Sequence, residues 1–267
     1  MPELPEVETI RKQLTESLIG DTIGSIEIRD RAIFIGDEKT LAGEKLLKVG
    51  RVGKYLFVHF VSGRGIGIHL KMTGRLVLHQ EDYEEVPYTR AVITFVSGRK
   101  VYYWDTRKFG YLRVVEDIAG EESATKQKLG PEPWEIDEIE FLRKLQKTGR
   151  TIKDVILDQS IMAGVGNIYA NDALWLAGIW PARKANKIGL KEAKKLLESI
   201  RAVMERGLAT GGASDNTYRD FYGNRGSYQN EFLVYGKTKG ECPKCRRALL
   251  YTKIGGRGTW VCENCQK

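Results

Sequence analysis

A proline at position 2 followed by glutamates at positions 3 and 6 is the combination in this chain best suited to covalent chemistry. Removal of Met1 would leave the Pro2 nitrogen as a free secondary amine. A terminal amine titrates at about 7.7–8.0, so a modest environmental shift keeps it neutral and nucleophilic near physiological pH. Such an amine attacks electrophilic carbon to give a Schiff base, which splits one difficult step into two easier ones. Glu3 and Glu6 stand close by as an acid and a base. The same residues also fit a plainer role, a helix with Pro5 at its favoured first position.

A second constellation is metal-binding. Cys242, Cys245, Cys262 and Cys265 form C-x2-C-x16-C-x2-C, the spacing of a closed tetrahedral thiolate shell and hence of one structural Zn2+ ion. No thioredoxin-like βαβ context surrounds them to suggest a redox pair. A closed shell leaves no position for substrate, and a module this small should need its metal to fold. Arg257 falls near the tip of a hairpin expected between the two pairs, where its forked donors could reach a phosphate. A third candidate is the turn Ala163-Gly164-Val165-Gly166-Asn167, where glycines allow a tight turn and Asn167 can cap the next helix. Free amides at a helix N-terminus bind phosphate, and Lys153 on the preceding helix would add charge.

These residues need elements to hold them. Val7, Ile10, Leu14 and Leu18 recur at helical spacing before Gly20, so a helix over about 5–19 anchors the N-terminus. Residues 22–29, 55–61, 75–78, 91–96, 100–104 and 111–115 read as strands separated by turns such as Ser62-Gly63 and Ser97-Gly98. Several are apolar on both faces, which suggests a sandwich. The charged stretch 117–135, with Gly130-Pro131-Glu132-Pro133, reads as a linker. Helical periodicity then returns, and its longest run passes through Leu190, Leu197 and Met204 to end before Gly211-Gly212. Residues 213–230 are polar, Gly-rich and aromatic-spiked, the composition of a long functional loop. The domain division expected is 1–116, linker 117–135, 136–230 with that loop, and 231–267.

The 267 residues suffice for one large or two ordinary domains. With 42% hydrophobic and 29% charged residues the chain has a globular composition. Its net charge of +8 favours a polyanionic partner. No apolar run is long enough for a bilayer, and Glu3, Glu6 and Glu8 stand where a secretory signal would be basic and then apolar. The expectation is a soluble, cytoplasmic protein.

Taken in order along the chain, several blocks resemble those of the formamidopyrimidine-DNA glycosylases. They are Met1-Pro2-Glu3-Leu4-Pro5-Glu6-Val7-Glu8, Gly53-Lys54-Tyr55-Leu56, His69-Leu70-Lys71-Met72-Thr73-Gly74, Asp105-Thr106-Arg107-Lys108-Phe109-Gly110, Gly130-Pro131-Glu132-Pro133, Gly164-Val165-Gly166-Asn167-Ile168-Tyr169-Ala170, and the cysteine pattern with Arg257-Gly258-Thr259. The resemblance implies a multi-domain α+β fold: an N-terminal β-sandwich with a terminal helix, a helix–two-turn–helix domain, and a C-terminal zinc ribbon. It implies a monomer acting on duplex DNA that contains oxidised purines or abasic sites, held in a basic cleft between domains. No small-molecule cofactor and no membrane partner are implied.

The resemblance also distributes roles. Pro2 would attack C1′ of the damaged nucleotide, Glu3 would protonate the opening sugar, and Glu6 would support them. Lys54 and Arg257 would serve as proton donors for β- and δ-elimination. Met72, Arg107 and Phe109 would fill the void left by a flipped nucleotide, a step that costs a few kcal/mol. Arg150, Lys153 and Asn167 would grip phosphates, and the loop carrying Tyr218 and Arg219 would close over the extruded base. The chain has Tyr88 at a DNA-contact position where that family commonly has histidine, and Asp172 where it commonly has glutamate. Two rival readings remain at this point: an endonuclease VIII-like enzyme for oxidised pyrimidines, against which Leu4 and Arg107-Lys108-Phe109 speak, and a zinc-dependent DNA-binding protein without catalysis.

Overall fold

A computed structural model describes residues 1–79, 86–215 and 217–267. The chain divides into two compact units, Met1–Gln127 with Thr210–Gln229, and Lys128–Ala209 with Asn230–Lys267.

The first unit begins with α1 (Leu4–Leu18), whose buried stripe is Leu4, Val7, Ile10, Leu14 and Leu18, as the spacing predicts. Among the described residues nine strands follow: β1 (Ile23–Ile28), β2 (Phe34–Ile35), β3 (Leu46–Val52), β4 (Tyr55–Phe60), β5 (Gly65–His69), β6 (Arg75–His79), β7 (Thr89–Phe95), β8 (Lys100–Trp104) and β9 (Tyr111–Val115). They form a four-stranded sheet in the order β1-β7-β8-β6 and a five-stranded sheet in the order β2-β9-β5-β4-β3. All pairings are antiparallel except the short β2–β9 pair. Both sheets and α1 contribute to one core, with Leu56, Val58 and Ile68 from one sheet and Ala91, Ile93 and Tyr103 from the other. Burial there is nearly complete, which fixes α1 and therefore the first residues of the chain.

Two stretches hold more structure than the sequence announces. The stretch 117–135, expected as a linker, carries α2 (Ile118–Lys128) in its first half. Only Ile118 is buried in that helix, so no apolar stripe announces it. Its anchor is polar instead: the Glu122 carboxylate accepts from Nε2 of His59, a histidine buried in β4, at 2.8 Å. Burial pushes the His59 pKa down, and the Glu122 charge partly opposes that shift. Second, Thr210–Gln229, which takes in nearly all of the expected loop 213–230, groups with the first unit and not with the helical one. Tyr218 and Phe221 join the sandwich core, and each such side chain contributes about 1.5–3 kcal/mol on burial. A polar loop with aromatics has few other ways to shelter them.

The second unit holds α3 (Glu138–Gln146), α4 (Ile152–Ile156), α5 (Asn167–Ala177) and α6 (Leu190–Ala209), then the hairpin β10 (Leu250–Ile254) and β11 (Arg257–Val261). The Gly-Pro stretch is bound into this unit: Gly130 N–H donates to Gln159 O, Ala163 N–H to Pro131 O, and the Arg201 guanidinium to Pro133 O and Ile136 O. The N-cap of α5 is Gly166, so Asn167 is its first residue and not the cap. Among the described residues no helix is long and apolar enough to cross a membrane.

Candidate active site and metal centre

Glu3 is the N-cap of α1 in extended conformation, and Pro5 lies in the first turn. Pro2, Glu3 and Glu6 are all buried. Glu6 Oε2 accepts the Glu3 N–H at 2.7 Å, a capping-box bond that fixes how the chain enters the helix. Its other oxygen accepts the Ala213 N–H at 2.8 Å. The 210–229 segment then runs along α1. Tyr218 OH donates to Glu6 O, Phe221 N–H donates to Gln13 Oε1, and Gln13 Nε2 donates to Asp220 Oδ2.

Lys54 occupies the tight β3–β4 turn and is itself buried. Arg51 bridges that turn to α1, donating to Glu8 Oε2 on the helix at 2.8 Å and to Gly53 O in the turn at 2.9 Å. Burial raises the Glu8 carboxyl, but hydrogen bonds from Arg11 and Arg51 outweigh it and hold the group below its ordinary value. One candidate escaped the residue-by-residue reading. His69 ends β5 beside Tyr55, with ring centroids 4.4 Å apart. Burial, then the charges of Lys71 and Lys54, press its pKa down to about 3, so the ring is neutral at physiological pH. It accepts the Lys71 N–H through Nδ1. Its place in the His69–Gly74 block was the only sequence signal.

Met72, Arg107 and Phe109 come together on exposed turns of the same unit. The Arg107 guanidinium lies 3.1 Å from Met72 Sδ and 4.6 Å from the Phe109 ring centre. Met72 and Phe109 are 43% and 53% exposed, and with Arg107 they form one exposed cluster. Tyr88 is half-buried, edge-on to Trp104.

In the second unit, the three residues expected at phosphates, Arg150, Lys153 and Asn167, also bond to protein groups. Lys153 is fully buried, and its ammonium donates to Gly258 O and Thr259 Oγ1. A buried ammonium needs such acceptors, so this lysine anchors the hairpin to α4. Asn167 Nδ2 also donates to Gly258 O, and Asn171 accepts the Trp260 N–H. Arg150 is bound to Asp158 Oδ2 and Asp154 O. Between β10 and β11, Gly255 and Gly256 both take positive φ, as the tightest hairpin turn requires. Arg257 follows, exposed at that tip. Of the loop residues, Tyr218 is buried with its hydroxyl on Glu6 O, while Arg219 donates to Tyr218 O. Tyr218 thus faces protein in this structure, and burial, then Glu6 and Asp220, raises its pKa.

Asp172 is fully buried on α5, and its carboxylate accepts the N–H groups of Leu233, Val234 and Tyr235 at 2.9–3.1 Å. The short aspartate therefore has a definite task, orienting the chain that enters the cysteine module. The four cysteine sulfurs lie within 4.8 Å of one another. Separations of 3.8 Å for Cys242–Cys265 and 3.4 Å for Cys245–Cys262 exclude disulfides. They approach the edge of a thiolate tetrahedron, roughly 3.8 Å for a Zn–S bond of about 2.3 Å. The donor set fits a single metal ion. Trp175 Nε1 also points at Cys242 Sγ, 3.4 Å away.

Comparison with known proteins gives these sites a family. Residues 1–112 match the formamidopyrimidine-DNA glycosylase N-terminal domain, and residues 129–219 match the formamidopyrimidine-DNA glycosylase H2TH domain. Formamidopyrimidine-DNA glycosylase of Desulfitobacterium hafniense is 40% identical over 273 residues, an alignment covering 100% of both chains. The chain belongs to the formamidopyrimidine-DNA glycosylase family. That of Streptococcus thermophilus is 37% identical over 277 residues, again covering both chains in full. Among solved structures, the Lactococcus lactis enzyme in complex with abasic-site DNA superposes with a TM-score of 0.92 at 34% identity, covering 99% of each chain. A variant of that enzyme bound to DNA containing Fapy-dG gives 0.93 over 100% of each. Membership makes the chain a DNA glycosylase of base-excision repair.

Proposed function

We propose that this chain excises oxidised purines, 8-oxoguanine and formamidopyrimidines, from duplex DNA through a Schiff base on Pro2, and then cleaves the strand at the same site. The observation that carries the reading is the buried Pro2-Glu3 end, held by the Glu6 carboxylate at the head of a core helix. Preorganisation of this kind is what a near-attack geometry demands. In the first step the Pro2 lone pair bonds to C1′ and the C1′–base bond breaks, its electrons leaving with the base. The Pro2 nitrogen gives up its own proton to the departing base anion, and Glu3 delivers a proton to the ring oxygen as the C1′–oxygen bond opens, which leaves an iminium. The iminium acidifies the C2′ proton, whose loss expels the 3′ phosphate. A second elimination expels the 5′ phosphate. Lys54 and Arg257 take the proton-donor roles in these two eliminations.

The reading requires an unblocked Pro2 nitrogen and hence removal of Met1. Zinc is the metal assigned to Cys242, Cys245, Cys262 and Cys265, because four thiolates in tetrahedral array suit it. Its contribution is to fold the ribbon that presents Arg257, and the four thiolates leave no open position on it. The enzyme is assigned to the cytoplasm, where the DNA of a bacterial cell lies.

The test is to offer the processed protein duplexes carrying one 8-oxoguanine or one oxidised pyrimidine. The expected outcome is release of free 8-oxoguanine together with a nick bearing phosphate on both ends. Faster release of the pyrimidine would favour an endonuclease VIII-like specificity. Binding of both duplexes without release of any base would mean a damage-binding protein.

A further inference from the structure

The exposed side chains Met72, Arg107 and Phe109 stand on two separate turns, 69–74 and 105–110, and the turns share one buried support. Asp105 is fully buried. Its Oδ1 accepts the Thr73 hydroxyl and, at 3.1 Å, the Arg107 N–H. Its Oδ2 accepts the Gly110 N–H at 2.8 Å. The Thr73 hydroxyl oxygen also accepts the Arg107 N–H at 3.1 Å, so the two turns are bonded directly to each other as well. The backbone of the same residue reaches a further expected DNA-contact position: Asp105 N–H donates to Tyr88 O at 3.2 Å, and Asp105 O accepts from Arg90 Nε at 2.9 Å.

Beneath Asp105 lies Tyr103, fully buried, with its hydroxyl beside the aspartate. That hydroxyl explains the glycine that closes each turn. A Cβ at Gly74 would stand 2.8 Å from it and 2.5 Å from Leu70 O, and a Cβ at Gly110 would collide with it. Each turn also holds a lysine in the left-handed region, Lys71 at φ 51° and Lys108 at φ 56°. Side chains adopt that conformation only when their surroundings over-determine it, and such strain gathers at functional sites. Lys108 is further pinned to Asp30 Oδ2 at 2.8 Å.

We propose that Asp105, seated on Tyr103, is the positioning residue that locks the Met72 turn, the Arg107–Phe109 turn and Tyr88 into one rigid wedge. The wedge does not touch the reacting atoms. It replaces a base in the stack, so Asp105 acts on extrusion of the damaged nucleotide and not on Schiff-base chemistry. The proposal rests on the glycosylase reading above and adds to it a division of labour within the first unit. A nucleotide that still bears its base must be unstacked, whereas an abasic site has no base to remove. Loss of the lock should therefore weigh more heavily on the first.

Borohydride trapping of two duplexes, one with 8-oxoguanine and one with an abasic site, tests this. The quantity read is the ratio of the trapping rates on the two. Asp105→Asn replaces one accepting oxygen with an NH2 donor, turned toward neighbours that are themselves donors. Thr73→Val keeps the side-chain shape at a half-buried position and removes only the bridging hydroxyl, which keeps the test decisive should Asp105→Asn fold poorly. The expected result is a fall of roughly tenfold or more in the ratio for Asp105→Asn, the scale set by one charge-assisted hydrogen bond, and a smaller fall in the same direction for Thr73→Val. An unchanged ratio in Thr73→Val, whether both rates hold or both drop together, overturns the proposal. Wild-type protein that traps neither duplex overturns the enzymatic reading itself, an outcome distinct from a wild type that traps both and variants that keep the ratio.

Discussion

One oxygen of the Glu6 carboxylate accepts the backbone N–H of Glu3 and the other accepts that of Ala213, at 2.7 and 2.8 Å. The head of α1 and the start of the 210–229 segment are therefore joined through one buried side chain. In Glu6→Gln the amide nitrogen must face one of those donors. A hydrogen bond to a charged group contributes about 1.5–3 kcal/mol, so a stability loss of that order is expected in urea titrations. Single-turnover base release should fall by about tenfold or more, since each 1.4 kcal/mol of misplaced transition-state energy is a factor of ten. Equal stability and equal rate in the variant would show that the link has no consequence.

The three amides gathered by Asp172 give a second prediction. Asp172→Ala leaves the Leu233, Val234 and Tyr235 N–H groups without that acceptor. Buried donors left unsatisfied cost about 1–3 kcal/mol each, so a destabilisation of about 3 kcal/mol or more is expected. Amide hydrogen exchange at 233–235 should accelerate strongly. Unchanged protection there would mean that the chain holds its course without the carboxylate.

His69 makes stability sensitive to acid. Its folded pKa of about 3 lies below the ordinary value of 6.5, so the folded state excludes a proton that the unfolded chain accepts. Stability should thus be unaffected above the unfolded value and should decline as pH falls from 6.5 towards 3. The slope reaches up to about 1.4 kcal/mol per pH unit. His69→Gln removes this contribution, so the difference between wild type and variant should shrink as the solution is acidified. A difference that stays constant from about pH 6.5 to about pH 5 would contradict the assignment.

Metal removal should act locally at first. Trp260 packs against Tyr235 and Tyr251 with ring centroids 4.8 and 5.1 Å away, and Trp175 faces Cys242. Stripping the ion with a chelator should unravel β10–β11 and change tryptophan fluorescence in step with release of one zinc per chain. Refilling with zinc should restore both the spectrum and strand cleavage. Fluorescence indifferent to metal content would show that the cysteine module folds without it.

What the sequence revealed, and what it hid, follows from the physics of each signal. The α1 stripe was legible because the core demands periodic burial, and the cysteine module because tetrahedral ligation demands its spacing. Helix α2 was hidden because a His59–Glu122 pair holds it in place of an apolar face. Residues 213–230 read as a long loop because their four aromatics follow no strand or helix period, yet Tyr218 and Phe221 are core. The protein acceptors of Lys153, Gly258 O and Thr259 Oγ1, lie 105 and 106 residues away, so nothing local announces them. Asp105 lay inside a recognisable block, but its three backbone and side-chain donors come from positions up to 32 residues away. Long-range polar contacts of that kind have no period to detect.

The central claim is that Pro2 itself carries the covalent chemistry, and one measurement addresses it directly. Protein lacking Met1 is reduced with borohydride during reaction with 8-oxoguanine duplex, digested, and the nucleotide-bearing peptide sequenced by mass spectrometry. The account predicts the sugar remnant on the nitrogen of the peptide that begins Pro2-Glu3-Leu4, with protein that retains Met1 giving no adduct. An adduct mapped to Lys54 or another lysine, or equal trapping by the Met1-bearing chain, would contradict it.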